Sequence, residues 1–359
     1  MKKEIGSIFP IYWNSHSLSD KCCCHNLPLN KSFFSLCREA LYEIARINCG
    51  PNSTVLIPAY TCNTVISPFK SVGWKCHYYS IKKNLRIDIS SIKELICRFN
   101  PSIVVVHPYF GMDLDSKEIN FFKDLEKNKI KVVVDLTQCI YSVTDYSFAS
   151  YIVGSYRKWF PIPDGGFLKC KSGSIGIDHP KDENISFLNE IVDAMYLRGV
   201  YFRLRDESIK DVSIRLCKKA EQIADNIIIP HRMSDMSHNI LNELDLSCCS
   251  KNRIENYQYL YNKIEDCNSI YKVLETYECL TTAPIYFPLY VNNRDQTQRA
   301  LALESIYAPI LWPIVDKGVL INDDVKFIYN HILAIPCDQR YTCEDMDRVA
   351  RVINELSKY

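Results

Sequence analysis

Apolar positions along the chain switch repeatedly between helical spacing and unbroken short runs. Phe34, Leu36, Cys37, Leu41, Ile44 and Ala45 recur every three to four residues until Gly50-Pro51 stops the run, which predicts a helix over 34–47. Residues 54–58 then read as a buried strand, 61–72 as a helix and 75–81 as extended. The alternation continues with a helix over 90–99, a strand over 103–106, a helix over 116–128 and a strand over 131–134. Strands and helices taking turns across short loops predict crossover units on a mostly parallel α/β sheet. Longer, more charged helices follow over 183–197 and 209–226. A second unit starts near 234, with a strand-like run over 283–291, a helix over 295–305 and a closing helix over 343–358. The predicted organisation is an N-terminal segment (1–30), a large domain (31–230) and a smaller C-terminal α+β domain (231–359).

Composition narrows the function classes. The chain has 359 residues, with 43 basic and 42 acidic side chains giving a formal charge of +1, and 47% of its residues are hydrophobic. That balance argues against disorder and against a dominant nucleic-acid-binding surface. No run of 18 apolar residues occurs, and the start Met1-Lys2-Lys3-Glu4-Ile5 lacks an apolar signal core, so no membrane association and a cytoplasmic location are expected. The 17 cysteines are odd in number and never spaced Cys-x-x-Cys, which disfavours a disulfide framework or a zinc ribbon. Cys22, Cys23, Cys24 and His25 are the one candidate metal cluster. Neighbouring side chains of an extended chain point in opposite directions, so no metal is expected there either.

Strands over 103–106 and 132–134 are β-branched runs of the kind covered on both faces, and reactive groups gather beyond the carboxyl ends of such strands. Those ends carry His107-Pro-Tyr-Phe-Gly111 and Asp135-Leu-Thr-Gln138. Lys158 lies in a loop stiffened by Pro161, Pro163 and Gly165-Gly166, a setting that can hold an amine in apolar surroundings where its neutral, nucleophilic form is favoured. It is a candidate Schiff-base lysine. A carboxylate after a buried strand needs a partner, and for Asp135 a protonated pyridine nitrogen would be one. Ser155 and a helix start near Ser35–Glu39 could hold a phosphate. Plainer roles fit each residue taken alone: a solvated lysine, a strand-end cap, a helix cap. His107 could touch the ligand, whereas His77 and His331 read as structural.

Taken together, these segments resemble the DegT/DnrJ/StrS sugar-nucleotide aminotransferases, pyridoxal-phosphate enzymes of the aspartate aminotransferase-like fold. The resemblance runs from about Asn30 to the end of the chain. It is carried by Ser35-Leu-Cys-Arg-Glu-Ala-Leu41, Ile57-Pro-Ala-Tyr-Thr-Cys62, His107-Pro-Tyr-Phe-Gly111, Asp135-Leu-Thr-Gln138, Ser155-Tyr-Arg-Lys158, Pro163-Asp-Gly-Gly166 and Ile335-Pro-Cys-Asp-Gln-Arg-Tyr341. It implies a three-layer α/β/α fold, pyridoxal 5'-phosphate bound covalently to Lys158, Asp135 beside the pyridine nitrogen, Gln138 beside the phenolic oxygen, and backbone amides of Arg38 and Glu39 on the phosphate. Cys62 stands where many members place an aromatic ring over the cofactor, so Tyr60, Tyr109 or Phe110 would supply the stacking. It further implies a homodimer that moves an amino group, usually from glutamate, to a nucleotide-linked keto-sugar for a surface polysaccharide of the O-antigen kind. A dehydratase or lyase of the same fold, and a non-catalytic binding descendant, are the alternatives.

Overall fold

The computed structural model describes residues 3–11, 31–171, 176–226, 229–274 and 280–358. Cys22 to His25 lie outside them. Among the described residues no group of three or more His, Cys, Asp or Glu side chains could hold a metal ion.

A seven-stranded sheet is built from β1 (Ser32–Phe34), β2 (Thr54–Pro58), β3 (Lys75–Tyr79), β4 (Ile103–Val106), β5 (Lys131–Asp135), β6 (Tyr151–Ser155) and β7 (Gly166–Cys170), in the order β1-β7-β6-β5-β4-β2-β3. Strands β3, β2, β4, β5 and β6 run parallel; β7 is antiparallel to both β6 and β1. The helices α1 (Cys37–Ile47), α2 (Asn63–Ser71), α3 (Ile89–Phe99) and α4 (Ser116–Lys127) form the crossovers. Every residue of β2 and β4 is buried, as expected for strands covered on both faces. The α/β expectation is met. Two details differ from the sequence reading: Phe34 belongs to an edge strand over 32–34 rather than to the first turn of α1, and β6 and β7 lie outside the strands the apolar pattern predicts.

Two long antiparallel helices, α5 (Ile185–Leu204) and α6 (Glu207–Asn226), precede a helical stretch of α7 (Asp235–Glu243) and α8 (Leu246–Lys263). A second sheet of three antiparallel strands, β8 (Ile270–Lys272), β9 (Phe287–Val291) and β10 (Ile332–Ile335), is flanked by α9 (Arg294–Leu303), α10 (Asp323–His331) and α11 (Cys343–Leu356). One apolar core runs beneath both sheets. The N-terminal segment joins them: Ile5 pairs with Ile306, the Gly6 N–H donates to the Tyr341 hydroxyl at 2.7 Å, and the Ile11 N–H reaches the Met195 carbonyl at 3.3 Å.

Candidate active site

Sheet geometry brings the carboxyl ends of β4, β5 and β6 side by side, with Val106 paired to Val134 and Asp135 to Val153. The residues at those ends, His107, Asp135 and Ser155, therefore open onto the same space. They wall a cavity of about 330 Å³ together with Cys62, Gln138 and Lys158. A second cavity of about 580 Å³ adjoins it, and Arg157, Lys158, Ile285 and Tyr286 are common to both walls.

Asp135 is buried and ends β5. Its Oδ1 accepts the Thr137 N–H at 2.9 Å, closing a short 3₁₀ turn over Leu136–Gln138, while Oδ2 faces His107 Nδ1 at 3.4 Å. On the ring's other side Nε2 lies 2.8 Å from Thr61 Oγ1. Burial pushes the His107 pKa down against the opposing pull of Asp135, so the neutral imidazole turns Nδ1–H to the carboxylate and accepts from Thr61 through Nε2. His107 thus orients Asp135 and also lines the cavity. Gln138 is buried, and its Oε1 accepts the Phe110 N–H at 2.9 Å. The amide nitrogen is then what Gln138 offers the cavity. The same contact fixes Phe110 at φ 50° ahead of Gly111 at φ 88°, where a Cβ would lie 2.8 Å from Leu280 Cδ1 and 2.9 Å from the Thr282 carbonyl oxygen.

Lys158 closes a 3₁₀ turn, Tyr156–Lys158, at the end of β6. Its side chain is exposed, which corrects the expectation of apolar surroundings. The proline-glycine loop is tied down around the lysine: Tyr156 N–H donates to the Gly165 carbonyl at 2.8 Å, Gly165 N–H to the Ser35 carbonyl at 2.7 Å, and Asp164 accepts the hydroxyls of Ser234 at 2.7 Å and Ser237 at 2.5 Å at the start of α7, while Ile162 and Pro163 line the larger cavity with Lys158. Lys158 is left standing between the two cavities.

At the start of α1 the first N–H groups have no intrahelical acceptor. The Glu39 N–H turns back to the Leu36 carbonyl at 3.0 Å, so Cys37 and Arg38, both on the cavity wall, present theirs. Gly166 makes this possible, because a Cβ there would sit 2.5 Å from the Cys37 nitrogen. Gly166→Ala is expected to force β7 and α1 apart, lowering the melting temperature and weakening anion binding at the helix start together; unchanged phosphate affinity in a titration would contradict this.

Placement of the other expected residues is mixed. The Arg38 side chain is buried and donates to the Ala224 carbonyl at 2.8 Å and to the Asp225 carboxylate on α6. The Glu39 side chain is off the wall: it accepts from Leu36 N–H and His231 N–H, each at 3.2 Å, clamping the start of α1 to residue 231. Tyr60 is also off the wall. It is fully buried, donates to the Leu311 carbonyl at 2.8 Å and packs against Trp312, with ring centroids 4.8 Å apart. Tyr109 and Phe110 are buried with it, and the aromatic side chains that do reach the cavity are Trp312 and Tyr286.

Sequence reasoning also missed Arg157, which donates to Glu221 of α6 at 3.0 Å on the cavity wall and holds that carboxyl below its usual range. The partners are 64 residues apart, and no local pattern signals the pair. The Trp312 loop is pinned by Asp316, which accepts from Lys70 Nζ and the Tyr78 hydroxyl, each at 2.5 Å. These donors depress the Asp316 pKa from 3.8 to about 2. A depressed carboxyl contributes stability that is present above the unfolded value and lost as pH falls through the folded one. The stability gap between the native chain and Asp316→Asn is therefore expected to narrow from pH 4 toward pH 2, as urea titrations at each pH would show.

No family model matches the sequence, and no curated protein does. Solved structures match over nearly the whole chain. A DegT DnrJ EryC1 StrS aminotransferase from Brucella abortus aligns over 92% of this chain and 86% of its own, with TM-score 0.65 and 16% identity. Helicobacter pylori PseC, an aminotransferase involved in the biosynthesis of pseudoaminic acid, aligns over 91% and 86%, with TM-score 0.63 and 13% identity. Bacillus subtilis NtdA, solved with bound cofactor PMP, aligns over 92% and 73%, with TM-score 0.65 and 16% identity. The fold is that of these aminotransferases. At such identities the likeness is one of backbone architecture.

Proposed function

We propose that the chain is a pyridoxal-phosphate-dependent aminotransferase that moves an amino group from an amino acid, glutamate, to a nucleotide-linked keto-sugar for a surface polysaccharide, acting in the cytoplasm as a homodimer. The observation that carries this reading is the convergence of Lys158, Asp135, Gln138 and Ser155 on one cavity. Its volume, about 330 Å³, falls within the ~300–1,000 Å³ typical of small-molecule sites. The donor set fits a phosphorylated pyridine: an amine, a buried carboxylate, an amide nitrogen, and a helix start relieved of a Cβ by Gly166.

When bound, the cofactor supplies an electron sink for the carbanion at the substrate carbon. The chain supplies the rest. The Asp135 carboxylate, oriented by His107 and by the Thr137 N–H, holds a proton on a ring nitrogen placed beside it. Cys37 and Arg38 N–H groups, the Ser155 hydroxyl and the Arg157 guanidinium offer donors to a phosphate. Lys158 would hold the cofactor through its aldehyde, and its Nζ, when free, would carry a proton at the substrate carbon. Exposure toward both cavities gives Nζ room for this exchange.

Incubation with glutamate and a panel of nucleotide-linked 3-keto and 4-keto sugars tests the reading. Release of 2-oxoglutarate with amination of one sugar is expected. Cofactor binding without 2-oxoglutarate would favour a dehydratase or lyase of the same fold, and failure to bind the cofactor would favour a binding protein.

A further inference from the structure

The buried cation of α8 has no part in the chemistry described so far. Arg253 is only 1% exposed, and a guanidinium keeps its charge in a protein interior. Among the described residues no carboxylate forms an ion pair with it, although against the upward push of burial its charge, after that of Arg340, helps hold Asp338 below the usual carboxylate range. Its donors go to main-chain carbonyls instead: Nη1 to Pro284 and Ile285, each at 3.2 Å, and Nη2 to Trp159 at 3.3 Å, with the guanidinium 4.6 Å from the centre of the Trp159 ring. Its Nε has no acceptor. An apolar side chain of similar volume would fill this site at a lower desolvation cost, so packing alone does not account for an arginine there.

What the carbonyls join gives the account. Trp159 follows Lys158 directly, and Ile285 lines both cavities beside it. The Trp159 carbonyl receives a second donor from the distal chain, Gln339 Nε2 at 2.7 Å. The Trp159 indole N–H donates to the Thr137 carbonyl at 2.8 Å, within the same turn that Asp135 caps. Trp159 therefore ties the lysine loop to the turn of the catalytic carboxylate, and two side chains from beyond residue 250 tie Trp159 to the second sheet. The charge on Arg253 lets one side chain engage three carbonyls from two separate loops, which no neutral residue of that size can do.

We infer that Arg253, assisted by Gln339, is a positioning residue that sets the backbone of Lys158 relative to Asp135 through the Trp159 carbonyl. The inference rests on the aminotransferase reading for its chemical consequence, but the positioning can be measured without it. The experiment follows hydrogen exchange in the cofactor-free chain for the native sequence, Arg253→Met, Arg253→Lys and Gln339→Ala. The Trp159 and Phe160 amides, which both close onto the Tyr156 carbonyl at 2.9 and 3.2 Å, report on the loop. Exchange at these two amides is expected to rise ~10-fold in Arg253→Met and less in Arg253→Lys, while amides of β4 and β5 hold their native rates. In the chain loaded with pyridoxal phosphate, kcat for amino transfer is expected to fall ~10- to 100-fold with KM for the amino donor nearly unchanged. Should Arg253→Met not fold, Gln339→Ala reads the same carbonyl. Exchange at 159–160 that stays native, or that rises only in step with β4 and β5, overturns the inference. A native chain that transfers no amino group, with exchange at 159–160 responding as stated, overturns the aminotransferase reading and leaves the positioning intact.

Discussion

Lys158→Ala is expected to abolish the visible absorption of the chain loaded with pyridoxal phosphate and to lower amino transfer by ~10³-fold or more, within reach of what a positioned proton carrier contributes. The same substitution should leave the fold alone. Lys158 is exposed and its side chain makes no hydrogen bond or ion pair among the described residues, and surface changes of this kind shift stability by no more than about 0.5 kcal/mol. Chemistry and folding are thus separable at this position, which is seldom true of a buried active-site group. Melting curves that coincide for the two chains, together with loss of the band in the variant, would bear the account out. A visible band of native intensity in Lys158→Ala would place the covalent attachment elsewhere.

Asp135→Asn carries the second large effect. The asparagine keeps the size of the side chain and an oxygen for the Thr137 N–H, yet it removes the charge that a protonated ring nitrogen needs. Truncating one member of a buried charge pair costs ~2–5 kcal/mol, or about 30- to 5,000-fold in rate where the pair acts in the transition state. His107→Ala should give a smaller loss in the same direction, since it removes the group that faces Oδ2 but leaves the carboxylate in place. Steady-state rates of Asp135→Asn within a few-fold of native would show that no cationic ring nitrogen sits opposite this residue.

Much of the large sheet was readable from the chain because β2, β4 and β5 are apolar runs bounded by helices of clear period. The placement of Asp135 and Gln138 followed from the same fact, for a residue just past a buried parallel strand has one place to go. Strands β6 and β7 lie outside the strands the apolar pattern predicts, and both carry a glycine at a site of close packing: a Cβ at Gly154 would meet the Phe167 ring at 2.6 Å. Tyr60, one of the three rings that the resemblance offers for stacking, is turned into the core, and Trp312, 252 residues on (312 − 60), reaches the cavity instead. The Glu39 N–H, expected on the phosphate, turns back to the Leu36 carbonyl at 3.0 Å instead, while its carboxylate clamps the helix start to residue 231. Arg157 with Glu221 and Arg253 with Trp159 were illegible for a common reason: each contact joins segments at least 64 residues apart, and periodicity carries no information over that distance.

Borohydride reduction of the chain loaded with pyridoxal phosphate, followed by peptide mass mapping, tests the assignment of the site most directly. A single adduct on the peptide that carries Lys158 in the native chain, absent from the corresponding peptide of Lys158→Ala, is the predicted result. An adduct confined to another lysine, or none at saturating cofactor, contradicts it.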